Sequence, residues 1–466
     1  MLLDTPHDGL AVGQRAISDL EAHLLGELIR PAHDDYDTAR QVYNRAFDRY
    51  PALVVRAADA ADVIRAVSFA REYGLPLAVR SGGHSMAGHG SVDGGLVIDL
   101  GRLRGLSIDA ARRVAWAQPG LTWGEYATQA QAYGLATSAG DTSSVGLGGL
   151  TLGGGIGWMV RKDGLTIDNL LSVELVTADG RLLRASADEH PDLFWALRGG
   201  GGNFGVATAF QYRMRPAGTI FGGAVVYPAT REVLRGWADY AQQAPDELTS
   251  MAFVMPAPPA PFIPAEQVGK LVAIIGLCAV GDLEAAERTA ARLRQLGTPV
   301  ADLCGPMPYP AMFALTEEAT RPQPHAIRSG YLQGLDDDVL EAVIEHGNQM
   351  PFPFGLIQLR ALGGAMARVP SDATAFAHRD KPFLAAVIGG AAEPAQYEPQ
   401  RQWTERLWGV LRPQAQGAYM NFLEDEGAER VREAYSPASY ARLVATKRRY
   451  DPDNLFRLNQ NIRPEN

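Results

Sequence analysis

The sequence predicts an α+β protein of more than one domain, and three observations predict it. A chain of 466 residues that is 46% hydrophobic can bury more than one core. Helical and strand patterns alternate as far as Arg215-Pro216, a plausible domain boundary. Beyond Thr219 the pattern changes to short alternating strands with two helical stretches, which continue to about Gly390.

In the first region, helices and short strands follow one another closely. Apolar residues recur at helical spacing between Asp59 and Gly74, and a glycine at position 74 is suited to end that helix. Thr122 and Glu125 have the spacing of a capping box, which predicts a helix that runs to Tyr133. The predicted strands here are Leu75–Val79, Gly95–Leu100, Arg113–Ala117, a hairpin of Ser172–Thr177 and Arg181–Ala185, and Val206–Met214.

The second region and the C-terminal end are read in the same way. Five prolines between Pro256 and Pro264 predict an irregular loop. Ser436-Pro437 predicts the start of a helix that reaches Tyr450. Further predicted elements are helices at Leu283–Leu296 and Asp337–Gly347, a strand at Leu356–Leu362 and an extended segment at Asn454–Ile462.

Composition and charge exclude several classes of protein. A net charge of -10 argues against a surface for nucleic acid, and Lys447-Arg448-Arg449 lies where cations favour the negative end of a helix dipole. Cys278 and Cys304 lack zinc-site spacing, which favours a reduced, cytoplasmic protein without a metal site. The sequence has no leader pattern and no apolar run of membrane-spanning length, so no membrane partner is expected.

Two glycine-rich loops carry the main functional signal. The first is Arg80-Ser81-Gly82-Gly83-His84-Ser85-Met86, and the second extends from Val145-Gly146 to Gly157. Glycines let the backbone approach a ligand closely, and their amides can converge on phosphate oxygens. The loops therefore indicate a dinucleotide-type cofactor that His84 could touch. Two alternatives stay open at this point, namely tight turns at sheet corners and a hydrogen-bonded turn histidine.

A GxGxxG pattern at Gly200, Gly202 and Gly205 does not indicate an NAD site. A predicted helix precedes it and a predicted strand follows it, whereas the dinucleotide fingerprint needs a strand, a loop and then a helix. The sequence also contains no Walker A, HExxH or GxSxG motif. The chemistry of P-loop enzymes, zincins and α/β-hydrolases is therefore not expected.

Four motifs in order make the chain resemble a known family. They are Arg80 to His89, Gly146 to Gly157, Arg198 to Val206, and the ending Tyr450-Asp451-Pro452-Asp453-Asn454-Leu455-Phe456 with Asn459 and Asn461. Together they are similar to the berberine-bridge-enzyme-like FAD oxidases of the vanillyl-alcohol-oxidase superfamily. The resemblance extends from about Tyr36 to Asn461 and is greatest to the bacterial branch that includes 6-hydroxy-D-nicotine oxidase and natural-product tailoring oxidases.

The resemblance implies a two-domain PCMH-type FAD-binding fold. An N-terminal segment (1–45) would precede an FAD domain (46–216), to which a C-terminal segment (411–466) returns. Residues 217–410 would form a substrate domain whose antiparallel sheet covers the isoalloxazine ring. The residues expected to bind FAD are Arg80, Ser81, Gly82, Gly83, His84, Ser85, Met86, Val145, Gly146, Gly149, Gly153, Gly154, Gly155, Gly157, Gly205, Val206, Asn459 and Asn461.

The resemblance also implies that His84 joins the 8-methyl group of the flavin through a ring nitrogen. Many relatives carry a second bond, from a cysteine in a Cys-Pro-x-Val-Gly stretch. Here Thr142 stands at the cysteine position, so we expect a single attachment. Val145 would lie beside the face of the flavin that meets O2, where a bulkier Leu or Ile tends to block oxygen.

On the substrate side, the resemblance points to Tyr419 and Asn421, which match a Tyr-x-Asn pair, with the tyrosine as a candidate base. A polar strand face is the structural alternative for this pair. Gln358 lies where several relatives have a catalytic glutamate, and an amide can only position a substrate by hydrogen bonds. Arg360 would share the face of Gln358 and could hold an anionic or carbonyl group. Weaker candidates are Tyr331, His378 and Arg379.

The implied activity is that of an FAD-dependent oxidase acting on a small secondary metabolite. The substrate would give a hydride to flavin N5 and a proton to a nearby base, and O2 would reoxidise the flavin with formation of H2O2. The alternatives are a flavin dehydrogenase with another electron acceptor, or a flavin-binding protein without turnover. Neither the substrate nor the oligomeric state can be read from the sequence, because pocket residues vary on a common fold.

Overall fold

A computed structural model describes residues 12–317, 321–351 and 354–464, and it confirms the predicted α+β class. The first sheet comprises β1 (Glu27–Ile29), β2 (Leu53–Arg56), β3 (Leu77–Arg80) and β4 (Leu96–Asp99). β2 and β3 lie parallel to the central β4, and β1 adds an antiparallel edge. The parallel strands end at one edge, and the first glycine loop leaves from that edge.

The second sheet is antiparallel, with the order β5-β6-β10-β8-β9. The strands of this part of the chain are β5 (Leu106–Asp109), β6 (Val114–Ala117), β7 (Leu135–Ala136), β8 (Leu170–Val176), β9 (Leu182–Ser186), β10 (Val206–Arg213) and β11 (Arg215–Pro216). β8 and β9 form the predicted hairpin, and β7 pairs with β11 outside the sheet.

The third sheet is antiparallel and belongs to the second region of the chain. Its strands are β12 (Thr219–Pro228), β13 (Leu248–Pro256), β14 (Leu271–Ala279), β15 (Ala301–Asp302), β16 (Gly305–Pro308), β17 (His325–Leu332), β18 (Phe354–Ala361), β19 (Phe383–Gly390) and β20 (Ala415–Gln416). The order is β15-β12-β14-β13-β18-β19-β17-β20, with β16 also paired to β12. Because β20 pairs with β17, this sheet continues past the expected boundary at residue 410.

Helices cover the sheets and form the remaining regular structure. They are α1 (Gln14–His23), α2 (Tyr36–Arg40), α3 (Ala60–Glu72), α4 (Trp123–Gln131), α5 (Leu147–Leu152), α6 (Val160–Asp163), α7 (Pro191–Leu197), α8 (Arg231–Gln243), α9 (Leu283–Ala290), α10 (Ala314–Glu317), α11 (Asp337–Gly347), α12 (Ala365–Arg368), α13 (Pro394–Leu411), α14 (Ala428–Glu433) and α15 (Pro437–Tyr450). Within the described residues, no helix combines the length and apolar character needed to cross a bilayer.

Local sequence signals explain where several helices begin. The capping box predicted at the start of α4 is present, since Thr122 Oγ1 accepts from the Glu125 N–H and the Glu125 carboxylate accepts from the Thr122 N–H. Ser436 caps α15 ahead of Pro437, as the sequence predicts. The GxGxxG pattern lies in a third glycine loop, residues 198–205. α7 precedes this loop and β10 follows it, which confirms that the pattern has the wrong context for an NAD site.

The two faces of the third sheet have different surroundings. Helices α8, α9, α11 and α13 pack on one face, where residues such as Ile357, Leu359 and Val387 form a buried core. Side chains alternate along a strand, so Leu356, Gln358 and Arg360 project from the opposite face. That face covers the cavity described below.

Three local expectations are wrong. The strand alternative for Tyr419–Asn421 fails, because Tyr419 precedes a single 3₁₀ turn at Met420–Phe422. The C-terminal segment Asn454–Ile462, predicted to be extended, instead bends at residues 458–460 and at Asn454, whose φ is 52°. The predicted helix from Leu283 is α-helical only to Ala290 and continues as a 3₁₀ turn to Arg294.

Candidate active site

A single cavity collects most of the predicted site residues. It encloses about 380 Å³ between the glycine loops and the inner face of the third sheet. The predicted residues that line it are Arg80, Ser81, Gly82, Gly83, His84, Ser85, Met86, Val145, Gly146, Gly149, Gly205, Val206, Gln358, Arg360, Tyr419, Asn421 and Asn459. Residues more than 300 positions apart in the chain therefore share one site.

The first glycine loop begins at a buried ion pair. β3 ends at Arg80, whose Nη2 donates to Asp99 Oδ2 of the neighbouring β4 at 2.8 Å. The Nη1 atom of Arg80 donates to the carbonyl oxygen of Gln41 at 3.0 Å. These bonds fix the start of the loop, so the guanidinium positions the loop backbone and is itself already paired.

Beyond the ion pair, residues Gly82 to Met86 of the loop line the cavity. Among the described residues, no protein acceptor is found for the backbone N–H groups of the stretch Gly82 to Met86. Amides left without partners at a cavity wall are suited to anionic or carbonyl oxygens of a ligand. The loop is therefore built to hold a polar ligand by its main chain.

The first two glycine loops cross at Gly82 and Gly146. A Cβ atom on either glycine would overlap the backbone of the other, so neither position accepts a larger residue in this arrangement. Ser81 Oγ accepts a hydrogen bond from the Gly148 N–H at 3.2 Å and joins the loops a second time. Close backbone approach is thus the physical reason for the glycines at this crossing.

His84 lies in a stack of three rings. The Tyr43 ring lies 4.2 Å from the imidazole of His84 on one side and 5.0 Å from that of His325 on the other, between ring centroids. Burial and, to a smaller extent, the neighbouring His325 lower the pKa of His84 to about 4. A hydrogen bond with the backbone of Ser144 acts in the opposite direction. At neutral pH the imidazole is uncharged and keeps a free lone pair.

The later part of the second glycine loop does not line the cavity as predicted. Gly153, Gly154 and Gly157 pack beneath it, where a Cβ atom would meet Asn421, Phe376 or the backbone of Gly140, respectively. The amide of Gly155 points to a phenol and not to a phosphate position. These glycines therefore allow close packing beneath the cavity, and of the side chains they make room for, Asn421 lines the cavity.

Three donors surround the phenol oxygen of Tyr419. The backbone N–H groups of Gly155 and Ile156 lie 3.2 and 3.3 Å away, and Asn421 Nδ2 lies 3.0 Å away. A neutral phenol offers two lone pairs and a phenolate three, so this arrangement favours the anion. Burial raises the pKa of Tyr419, while Asn421, the charge of Arg360 and the two amides lower it.

Gln358 and Arg360 lie on one face of β18, as the strand period predicts. Arg360 Nε donates to Gln358 Oε1 at 3.0 Å, and Arg360 Nη2 lies 2.6 Å from Asp141 Oδ2. Both charged side chains of this pair are buried. The guanidinium is therefore neutralised by a carboxylate that the sequence did not single out.

The C-terminal segment closes the cavity from another side. Asn459 Nδ2 donates to the carbonyl of Gly202 at 3.2 Å, whereas its Oδ1 is buried without a protein partner among the described residues. Lys447 is fully buried, and its Nζ donates to Asp451, to the Asn203 carbonyl and to the Phe456 carbonyl. The predicted basic cluster thus includes a clamp that ties the third glycine loop to the C-terminal end. Asn461, also predicted, lies outside the cavity lining.

The position at which many relatives carry a second attachment holds a threonine in this chain. Thr142 lines the cavity with its Oγ1 3.3 Å from Thr316 Oγ1, and Val145 lines it on the same loop. A threonine hydroxyl cannot form a thioether.

The weaker candidates have structural roles. Arg379 makes two hydrogen bonds to the carboxylate of Asp168 at 2.7 and 3.0 Å, and His378 bonds the carbonyl of Glu433. Tyr331 is buried beside His378, and neither residue lines the cavity.

Sequence reasoning missed Tyr43 and Asp141. Tyr43 precedes the first domain motif, and Asp141 lies in a stretch without a recognisable spacing. Only their contacts with two predicted residues, His84 and Arg360, connect them to the site.

Comparisons with known proteins agree with this geometry. A family model described as "FAD binding domain" matches residues 51–186, and one described as "Berberine and berberine like" matches residues 418–463. The (R)-6-hydroxynicotine oxidase of Paenarthrobacter nicotinovorans is 32% identical over 472 residues, covering 95% of this chain and 97% of that protein. The chain belongs to the berberine-bridge-enzyme-like family of FAD-linked oxidoreductases.

Solved structures of family members have the same fold. The crystal structure of 6-hydroxy-D-nicotine oxidase from Arthrobacter nicotinovorans aligns with a TM-score of 0.85 at 30% identity, covering 95% of this chain and 98% of that one. Xylooligosaccharide oxidase from Myceliophthora thermophila, solved with xylobiose, aligns with a TM-score of 0.81 at 26% identity, covering 97% and 100%. The predicted family and the PCMH-type fold are confirmed.

This FAD-dependent oxidoreductase has a site that fits its cofactor. The amides after Gly82, which have no protein acceptor among the described residues, suit the polar oxygens of a dinucleotide, and the crossing with Gly146 holds this loop in place. The orphaned Asn459 Oδ1 is an acceptor for a ligand N–H. Backbone and carboxamide groups, with no added charge, would therefore hold FAD.

Proposed function

We propose that the enzyme is an oxidase that removes a hydride and a proton from a small secondary metabolite and uses O2 as its electron acceptor. The chemistry supplied by bound FAD is acceptance of the hydride, followed by two-electron reduction of O2 to H2O2. The observation that carries the proposal is the phenol oxygen of Tyr419, which faces the cavity and accepts from three donors.

Tyr419 would take the substrate proton. Removing a hydride from a C–H bond leaves a cation, and loss of the neighbouring O–H or N–H proton makes a neutral product. A phenol with an ordinary pKa near 10 is mostly protonated at pH 7, and burial raises the pKa of Tyr419 further. The three donors and the neighbouring Arg360 oppose that rise, because they favour the anion. Gln358 would hold the substrate, because a carboxamide cannot accept the proton.

His84 would attach the cofactor covalently, and only once. Its low pKa keeps the imidazole uncharged, as a nucleophile must be. Tyr43 stacks on one face of the ring and limits its rotation. Thr142 offers no thiol for a second bond.

Val145 would leave a path for O2. It lines the cavity on the second glycine loop, where a longer side chain would reach farther into the space.

Two further parts of the proposal concern the domain organisation and the cellular location. We assign residues 217–410 to a substrate domain above the FAD domain (46–216 and 411–466), with β20 of the C-terminal segment adding a last strand to the substrate-domain sheet. The free thiols of Cys278 and Cys304 fit a cytoplasmic location.

Rapid mixing tests the use of oxygen. Enzyme reduced anaerobically should reoxidise on mixing with O2 at a rate that supports turnover, with one H2O2 formed per flavin. Val145→Leu should slow reoxidation by O2 while the rate with an artificial acceptor stays unchanged. Reoxidation of the wild type far slower than turnover with the artificial acceptor would identify a dehydrogenase.

Acid denaturation tests the covalent link. The yellow colour should stay with the precipitated polypeptide, and its mass should exceed that of the chain by one FAD. His84→Ala should bind FAD without a covalent bond. Release of all flavin from the wild type into the supernatant would refute the attachment.

A further inference from the structure

The ion pair of Arg360 and Asp141 lies at the cavity wall formed by the inner face of the third sheet. Arg360 is 3% exposed, and its Nη2 lies 2.6 Å from Asp141 Oδ2. Asp141 is also buried, and both side chains line the cavity. Separating the pair to admit a charged ligand would leave one buried charge uncompensated, which is costly.

Each of the three guanidinium nitrogens of Arg360 contacts a protein acceptor. Its Nε donates to Gln358 Oε1 at 3.0 Å, and its Nη1 lies 3.5 Å from the carbonyl oxygen of Ile156. The Phe422 ring lies 5.0 Å from the guanidinium carbon and covers one face. Three of the five guanidinium N–H groups thus have protein acceptors, and one of these acceptors is the carboxylate of Asp141, so a second anion would meet a guanidinium whose charge is already paired.

The same contacts fix the orientation of Gln358. Arginine Nε–H can only donate, so the atom of Gln358 that faces it must be Oε1. The Nε2 atom, with two hydrogens, then has no protein acceptor among the described residues. Gln358 lines the cavity, and its carboxamide therefore offers donors to a ligand.

Apolar side chains form the rest of this wall. Five strands of the third sheet contribute Ala224, Phe253, Met255, Ile274, Leu356 and Ile388. A carboxylate, phosphate or ammonium group would lose its hydration against these side chains without gaining an opposite charge. A molecule with many hydroxyl groups would likewise leave most of them without partners.

Resting on the proposed function, we propose that the substrate is an uncharged, largely apolar molecule with one hydrogen-bond acceptor. The acceptor, a carbonyl, ether or hydroxyl oxygen or an aromatic ring nitrogen, binds Gln358 Nε2. The apolar body lies against the inner face of the third sheet. Asp141 thus acts on specificity, because it cancels the charge of Arg360 that would otherwise select an anion.

Three probes of equal shape and different charge test this inference. 2-Naphthamide, 2-naphthoate and 2-naphthamidine are titrated into the holoenzyme without oxygen at pH 7.5, and binding is read from the flavin spectrum and from equilibrium dialysis. The neutral amide should bind at least tenfold more tightly than the anion or the cation, and xylobiose should bind more weakly than the amide. Tighter binding of either ion or of the sugar overturns the proposal, as does failure of the amide to bind.

Two variants locate the effect. Asp141→Asn leaves Arg360 uncompensated and should improve binding of 2-naphthoate by tenfold or more, without a comparable gain for the amide. Gln358→Leu should weaken the amide by about three- to tenfold, the worth of one neutral hydrogen bond, and leave 2-methylnaphthalene unaffected. The matched control Gln333→Leu changes an exposed glutamine that bonds Gln416 on the outer part of the sheet, and it should leave all affinities unchanged.

Failure of this inference and failure of the proposed function give different results. Equilibrium dialysis measures ligand binding without hydride transfer or oxygen, so an enzyme that prefers the neutral probe but forms no H2O2 refutes only the oxidase. An enzyme that forms H2O2 and prefers the naphthoate refutes only the substrate class. Unchanged naphthoate affinity in Asp141→Asn also counts against the role assigned to the ion pair.

Discussion

The two walls of the cavity are built from different parts of the chain and by different means. The cofactor wall consists of backbone, held by the crossing of Gly82 with Gly146 and by unpaired amides of the first loop. The substrate wall consists of side chains on alternate positions of β18 and its neighbours. A wall of backbone demands particular residues at fixed places, whereas a wall of side chains can change without altering the fold.

The walls also differ in how far their polar groups are satisfied. On the cofactor wall, the amides after Gly82 and the Asn459 Oδ1 have no protein partner among the described residues. On the substrate wall, Arg360 and Asp141 satisfy each other, and Gln358 keeps only its Nε2 free. The cofactor wall is thus suited to a strongly polar ligand, whereas the substrate wall offers a ligand a single hydrogen-bonding group.

The largest effect is expected from breaking the backbone wall. Gly82→Val places side-chain atoms inside the backbone of Gly146, so the loops must separate and FAD binding should be lost. The ratio of flavin to protein absorbance in the purified enzyme measures the loss. Gly305→Ala in β16 is the control, because a Cβ atom there meets nothing within 4 Å. Full flavin content in Gly82→Val would contradict the role of the crossing.

The next largest effect should come from the phenol between the walls. Tyr419→Phe removes the oxygen that accepts from Gly155, Ile156 and Asn421, and with it the proposed base. General-base effects are typically about 10²–10⁴-fold, so anaerobic flavin reduction should slow by at least tenfold with FAD still attached. Gln358→Ala should mainly weaken substrate binding. Flavin reduction at the wild-type rate in Tyr419→Phe would exclude tyrosine as the base.

A smaller effect, on stability, should come from the side chain that holds the backbone wall together. Lys447→Met leaves Asp451 buried without its cation and removes bonds to the Asn203 and Phe456 carbonyls. Removing one partner of a buried ion pair costs about 3–5 kcal/mol. Thermal unfolding should therefore begin at a lower temperature than in the wild type. Arg448→Met, one residue later and exposed, is the matched control and should unfold like the wild type.

The contrast between the walls also explains what the sequence could predict. The capping box at Thr122, the hairpin of β8 and β9 and the first glycine loop are local signals, and the structure has each of them. Gly153 and Gly154 carry the same local signal as Gly82, yet they make room for Asn421 and Phe376. A glycine shows that space is needed and does not show what fills it.

On the substrate side, the sequence could not predict contacts between residues that are far apart in the chain. Strand period alone placed Gln358 and Arg360 on one face, as observed. The period could not reveal Asp141, which is 219 positions from Arg360 and is brought to it by the packing of the second glycine loop under the sheet. The strand alternative for Tyr419 was wrong because the chain after it forms a 3₁₀ turn at Met420–Phe422 instead of continuing as an extended strand.

The smallest effect concerns pH and follows from the ring stack on the cofactor wall. The imidazole of His84 titrates near 4 when folded and near 6.5 when unfolded, so the unfolded chain binds more protons between these values. The stability that this group contributes is complete above pH 6.5 and is lost as pH falls toward 4. Between pH 7.5 and 5.5 the folded imidazole stays uncharged.

Covalent attachment should therefore hardly change over that range. Apoprotein from riboflavin-limited cells, mixed with FAD at pH 7.5 and 5.5, should gain acid-stable flavin at rates that agree within about twofold. An imidazole with the ordinary pKa of about 6.5 would be only about one-tenth uncharged at pH 5.5, and its attachment would slow about tenfold. His84→Ala supplies the baseline without attachment. A tenfold loss at pH 5.5 in the wild type would show that the Tyr43–His325 stack does not keep the imidazole neutral.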